Sequence, residues 1–75
     1  MRVWSVGEVR ECAVPQRNIN VRAGAGAAFS VLASVTPNNE LEIVGRSAGW
    51  YEVLLADGRR GWVAAESVRV MACSQ

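Results

Sequence analysis

The chain has 75 residues, 51% of them apolar, with eight basic side chains against seven acidic ones. That length allows one small domain, and that composition excludes a disordered chain. Charge near balance, with every basic residue an arginine and no histidine, excludes the strongly basic surface that would track a nucleic acid.

In chain order, "MRVWSVGEVRE" opens on Met and Arg, but Glu8 and Glu11 interrupt the apolar run that a signal peptide needs. We expect residues 1–10 to be a leader or linker remnant, 11–73 the domain, and 74–75 a C-terminal tail. Trp4, in the leader, is expected to pack on the domain or to belong to an interface with a neighbour. No apolar run reaches the roughly 18 residues needed to cross a bilayer, so no membrane span is expected. If the parent protein is exported, its signal lies elsewhere.

The rest reads as short strands separated by tight turns. "ECAV" (11–14) alternates weakly and stops at Pro15, an edge or turn residue. "INVR" sets Ile19 and Val21 on one face and Asn20 and Arg22 on the other. A Gly/Ala loop, 23–28, leads through Phe29 into the apolar "SVLASV" (30–35). "TPNNE" is a turn in which Pro37 presets φ and Asn38 or Asn39 can take the left-handed conformation. "LEIVGR" (41–46) alternates cleanly, "SAG" is a short loop, and "WYEVLLA" (50–56) is the next strand. Asp57-Gly58 is the strongest hairpin signal and suits a type I′ turn. "GWVAA" returns, "ES" makes one short turn, and "VRVMA" (68–72) closes the chain. No segment carries a helical period of about 3.6 residues. The expected fold is therefore all-β: a small, partly open barrel of five to six short antiparallel strands with one short 3-10 turn.

Cys12 and Cys73 lie near opposite ends of the domain. Without histidine, two cysteines cannot close a zinc site, so no metal is expected. In an exported protein such a pair reads as a disulfide staple; in a cytosolic one it reads as two thiols.

Catalysis lacks its parts. No histidine exists to activate a Ser or Cys nucleophile. Glu40 and Glu42 share a strand face, as glycosidase carboxylates can, but a solvated strand face accounts for them without a cleft. Gly24-Ala25-Gly26 is not followed by a helix whose dipole could hold a phosphate. We expect no enzyme and no cofactor.

Six local patterns occur in order: Asn20-Val21-Arg22-Ala23-Gly24, Phe29, the Thr36–Asn39 turn, Gly49-Trp50-Tyr51-Glu52-Val53, Asp57-Gly58 and Gly61-Trp62-Val63. Together they resemble the bacterial SH3 family, the SH3b or SH3-like type, over about fifty residues. Ala25 stands where the family often has Pro, and Asn39 where its diverging turn usually has Gly. The resemblance implies that "RAGAGAAF" is the long RT-type loop, a binding rim built here from methyl groups and backbone. It implies that Phe29 turns inward under that loop and that Trp62 packs into the barrel. It also places Trp50 at the position of the tryptophan that lines the peptide groove in eukaryotic SH3 domains. The proline-rich-peptide groove of those domains is not expected, because Ala64-Ala65-Glu66-Ser67 stands where they have Pro-Ser-Asn-Tyr.

By analogy, the expected ligand-binding residues are Trp50, Tyr51, Arg22, Gly24 and Arg46, with Arg22 and Arg46 meeting carboxylates. The resemblance implies a non-catalytic accessory module of a larger exported bacterial protein, extracytoplasmic and monomeric. Its expected partner is cell-wall peptidoglycan or a peptide or protein. The alternative is a structural or assembly domain that packs against a neighbour without a ligand groove. No nucleic-acid partner is expected, since Arg59-Arg60 sits alone at a hairpin tip.

Overall fold

A computed structural model of the chain describes residues 10–74; Trp4 and the rest of the leader lie outside the described residues. Seven strands form one antiparallel open sheet, one strand more than the sequence suggests. They are β1 (Glu11–Pro15), β2 (Ile19–Arg22), β3 (Val31–Val35), β4 (Leu41–Ser47), β5 (Trp50–Leu54), β6 (Arg60–Ala64) and β7 (Val68–Ala72). A single 3-10 turn, Ala65–Ser67, joins the last two. The strand order is β3-β2-β6-β5-β4-β1-β7.

Inward positions from every strand meet in one core: Ala13, Val21, Val35, Leu41, Val53, Leu55, Val63 and Val68. One layer of sheet can bury a single cluster in this way only by curling around it. The centre is small, since Val21, Val53 and Val63 are its largest wholly buried apolar side chains apart from Pro15. Pro15 ends β1 beyond Ala13, the last residue that pairs with β4, where a missing N–H costs no bond in that ladder.

The hairpins exchange roles relative to the dipeptide signals. Ala48 (φ 45°) and Gly49 (φ 86°) both take positive φ inside the closed pair Ser47–Trp50, which is the type I′ requirement. The Asp57-Gly58 tip is not the type I′ turn that its sequence predicts. Gly58 alone has positive φ there (91°), in a three-residue loop closed by Leu55 N–H donating to the Arg59 carbonyl at 2.7 Å. Asp57 accepts from the Arg59 backbone N–H and guanidinium (3.0 and 2.7 Å), and these bonds, the backbone one first, hold its carboxyl below the usual range.

Nor does either asparagine of "TPNNE" turn left-handed, since Ala48 is the sole non-glycine with positive φ among the described residues. That turn is closed by the Asn39 N–H donating to the Thr36 carbonyl (2.9 Å), and side chains reinforce it. Asn39 Oδ1 accepts from the Thr36 N–H (2.8 Å), and Thr36 Oγ1 accepts from the Asn38 N–H (3.2 Å).

An alanine in the left-handed region clashes with its own backbone, a cost that asparagine partly escapes. Ala48→Asn converts the tip to the favoured Asn-Gly pair and is expected to raise stability by about 0.5 kcal/mol. The melting temperature should then rise by roughly 2–4 °C. A melting curve identical to that of the parent would mean that the turn does not hold Ala48 at positive φ.

The predicted staple is present. Cys12 and Cys73 form a disulfide across 61 residues of sequence, with Cα atoms 5.0 Å apart. Five registered residue pairs, Glu11–Ala72 through Pro15–Val68, bring the chain ends together there. Beyond it Ser74 donates from both its N–H and its hydroxyl to Glu40 (2.9 and 2.7 Å), the backbone bond first in holding the Glu40 carboxyl below its usual range.

Candidate functional site

Among the described residues, an open groove of about 350 Å³ lies on the outer face of the sheet. Its walls come from the turn after β1 and the start of β2 (Arg17, Asn18, Ile19, Asn20, Arg22), from Ala27 of the long loop, and from Trp50, Ala64, Glu66 and Ser67. Strand alternation explains why Trp50 is there. Val53 is wholly buried and Leu55 nearly so, which sends Tyr51 inward and Trp50 outward. Trp50 lies opposite Ala64, whose small side chain leaves the space beside the ring unfilled.

The groove is braced at both ends. Gln16 N–H donates to the Ser67 carbonyl (3.0 Å) and Arg17 Nη2 donates to Ser67 Oγ (3.3 Å), tying the first turn to the 3-10 turn. Arg22 Nη1 donates to the Phe29 carbonyl (3.0 Å), and Ala23 N–H donates to the Ser30 carbonyl (2.8 Å), closing the β2–β3 loop at its neck.

Of the five expected ligand-binding residues, Trp50 and Arg22 meet in this groove and the other three lie elsewhere. Tyr51 packs against the core on the opposite face. The Arg46 guanidinium sits 5.5 Å from the centre of the Tyr51 ring and is hydrogen-bonded to Glu11, which raises its pKa, the hydrogen bond first and the charge second. Gly24 is buried beneath the Phe29 ring, where an added Cβ would stand 2.6 Å from ring carbons.

Two expectations are corrected. Phe29 does not plug the core: it is 52% exposed and covers its own loop's glycines, because the valine-filled core beneath has no room for a ring. Trp62 does not pack into the barrel either. Gly61 and Val63 take the inward positions, so Trp62 lies half-buried on the outer face, opposite Arg22 on one side and Glu52 on the other.

Arg17, Asn18, Asn20, Ala27 and Glu66 are not among the ligand-binding residues expected from the sequence. Only the alternation that put Asn20 and Arg22 on one face hinted at this wall. Arg17 and Glu66 are 49 positions apart in the chain and meet through folding alone.

The sequence profile of the bacterial SH3 domain matches residues 17–69, well over half of the chain. The chain is a bacterial SH3 domain. That family is one of binding modules, and every residue lining the groove falls within the matched span of this SH3 domain. No curated protein matches the chain. Cys12 and Cys73 both lie outside the matched span, so the disulfide joins the two segments that flank it to each other. Among the described residues there is no cluster of three or more metal-ligating side chains, and no helix long and apolar enough to cross a membrane.

Proposed function

We propose that this SH3 domain is a non-catalytic accessory module of a larger exported protein, and that it holds cell-wall peptidoglycan, or a peptide or protein partner, in the groove at Trp50. The observation that carries this reading is an outward-facing tryptophan in the sheet's open groove, flanked by two arginines and two asparagines. Ligand sites combine one apolar platform with a few convergent polar groups in this way, and tryptophan supplies such a platform at little cost in conformational freedom. The Cys12–Cys73 disulfide is compatible with an extracytoplasmic location, where such bonds persist.

Purified domain is expected to co-sediment with insoluble peptidoglycan sacculi. Trp50→Ala should lower the retained fraction at least tenfold, corresponding to about 1.4 kcal/mol or more of lost binding, while leaving the folded spectrum unchanged. Absence of retention for the parent domain would discard wall binding and favour the structural or assembly reading. In that case the exposed Val70 and Met71 of edge strand β7 are the first surface to examine.

A further inference from the structure

We infer that the groove at Trp50 recognises a carboxylate carried by a peptide, through the guanidinium groups of Arg17 and Arg22 that line it. This rests on the reading of that groove as the binding site and adds the chemistry of what enters it.

Charge placement is the basis. Arg10, Arg46 and Arg59 each meet an acid of the same chain, Glu42, Glu11 and Asp57 respectively. Among the described residues Arg17, Arg22, Arg60 and Arg69 do not, and of these four only the two groove arginines are held by a side-chain hydrogen bond. Arg17 donates to the hydroxyl of Ser67 and Arg22 to the backbone carbonyl of Phe29, both neutral acceptors. Among the described residues no carboxylate lies within 4.0 Å of either guanidinium, including Glu66 in the same groove. Each guanidinium has five N–H donors in a rigid fork and uses one of them here.

These two side chains are thus held in place by one hydrogen bond each, with no carboxylate of the described residues paired to their charge. That is a preorganised anion receptor. A ligand carboxylate meets fixed donors and loses less side-chain entropy on binding than it would against free arginines. Glu66 argues against a multiply charged anion such as phosphate, because it sets a negative charge in the same groove.

The remaining groups suit a peptide. Asn20 Oδ1 already accepts from Ser34 Oγ (3.2 Å), so its NH2 group is left to donate to a ligand carbonyl. Asn18 offers a second carboxamide, the Glu66 carboxylate can accept from a peptide N–H, and Trp50 covers the apolar part of a side chain.

The test uses the 15N-labelled domain and two tripeptides that differ only in charge, Ac-Ala-Glu-Ala-NH2 and Ac-Ala-Gln-Ala-NH2. With the glutamate peptide, the Trp50 indole N–H and the backbone amides of Arg17 and Arg22 are expected to shift saturably. With the glutamine peptide the affinity should be at least fivefold weaker. The double variant Arg17→Gln/Arg22→Gln should bind both peptides at the weaker level. Its amide spectrum away from the groove reports that it is folded.

A second arm uses sacculi before and after their carboxylates are capped with methylamine. Retention that disappears on capping places the carboxylate in the wall polymer. A selective response to the glutamate peptide without any sacculus retention places it in a protein, upholding the inference while discarding wall binding. Equal or absent responses to the two tripeptides overturn the inference. Retention that survives capping but is lost in Trp50→Ala also overturns it, and leaves the groove standing as a wall-binding site.

Discussion

A Cys12→Ala/Cys73→Ala variant is expected to unfold about 4 kcal/mol more easily than the parent, the loop-closure entropy of a bond spanning 61 residues. For a chain of this size that is a large share of the whole, since folded domains are stabilised by roughly 0.05–0.15 kcal/mol per residue. The bond acts where the sheet is weakest. Strand β7 is an edge strand whose one partner is β1, and both lie largely outside the span that matches the family. Cys73 N–H also donates to the Arg10 carbonyl (3.0 Å), continuing the ladder past the disulfide.

Without the bond, the ends of β1 and β7 should fray before the rest of the sheet. Hydrogen exchange at the amides of β7 should therefore accelerate even under conditions where Val53 and Val63 remain protected. Denaturant titration of the oxidised, reduced and double-alanine forms measures the effect. Reduced and oxidised forms with midpoints that coincide would show that strand pairing alone holds the ends together.

The second large effect is expected at Gly61. A Cβ built on this residue would lie 2.3 Å from Val21 Cγ1 and 3.2 Å from the Arg22 carbonyl oxygen. Val21 is wholly buried, and as a β-branched residue it has little freedom to turn aside. The neighbouring backbone of β2 cannot retreat without breaking the Arg22–Trp62 pairing that joins the two halves of the sheet. Gly61→Ala should cost about 3 kcal/mol through overpacking, at the upper end of such substitutions, and lower the melting temperature by roughly 12–24 °C.

A double-mutant cycle isolates the cause. Val21→Ala removes the methyl group in the way, so Gly61→Ala should be at least about 1 kcal/mol less damaging in that background. Gly61→Ala within about 0.5 kcal/mol of the parent would mean that β2 and β6 approach less closely than described. Because Arg22 lines the groove and pairs with Trp62, any forced separation of β2 from β6 should also weaken binding.

The amino-acid sequence by itself determined the class of fold, the positions of the strands and turns, and the apolar face of β2. Those features rest on local physics. A period of two, a proline or a glycine acts within a few residues of where it stands. The same alternation placed Val21 on one face and Asn20 and Arg22 on the other before any contact was known. It was also enough to carry the family resemblance, since Asn20-Val21-Arg22, Gly49-Trp50 and Gly61-Trp62-Val63 are each local patterns.

The tertiary structure decided what depends on volume and on distant pairing. Phe29 and Trp62 stay out of the core because Val21, Val53 and Val63, brought together from three strands, already fill it. The type I′ turn falls at Ala48-Gly49 rather than at Asp57-Gly58 because pairing of Ser47 with Trp50 leaves just two residues for the reversal. Sequence reading treated Arg22 and Arg46 alike as carboxylate ligands. Folding gives Arg46 its own acid, Glu11, and sets Arg22 and Arg17 along one groove, with no carboxylate of the described residues within 4.0 Å of either. Whether an arginine's charge is already satisfied is a matter of which acid the fold carries to within about 4 Å of it, and no local pattern encodes that distance.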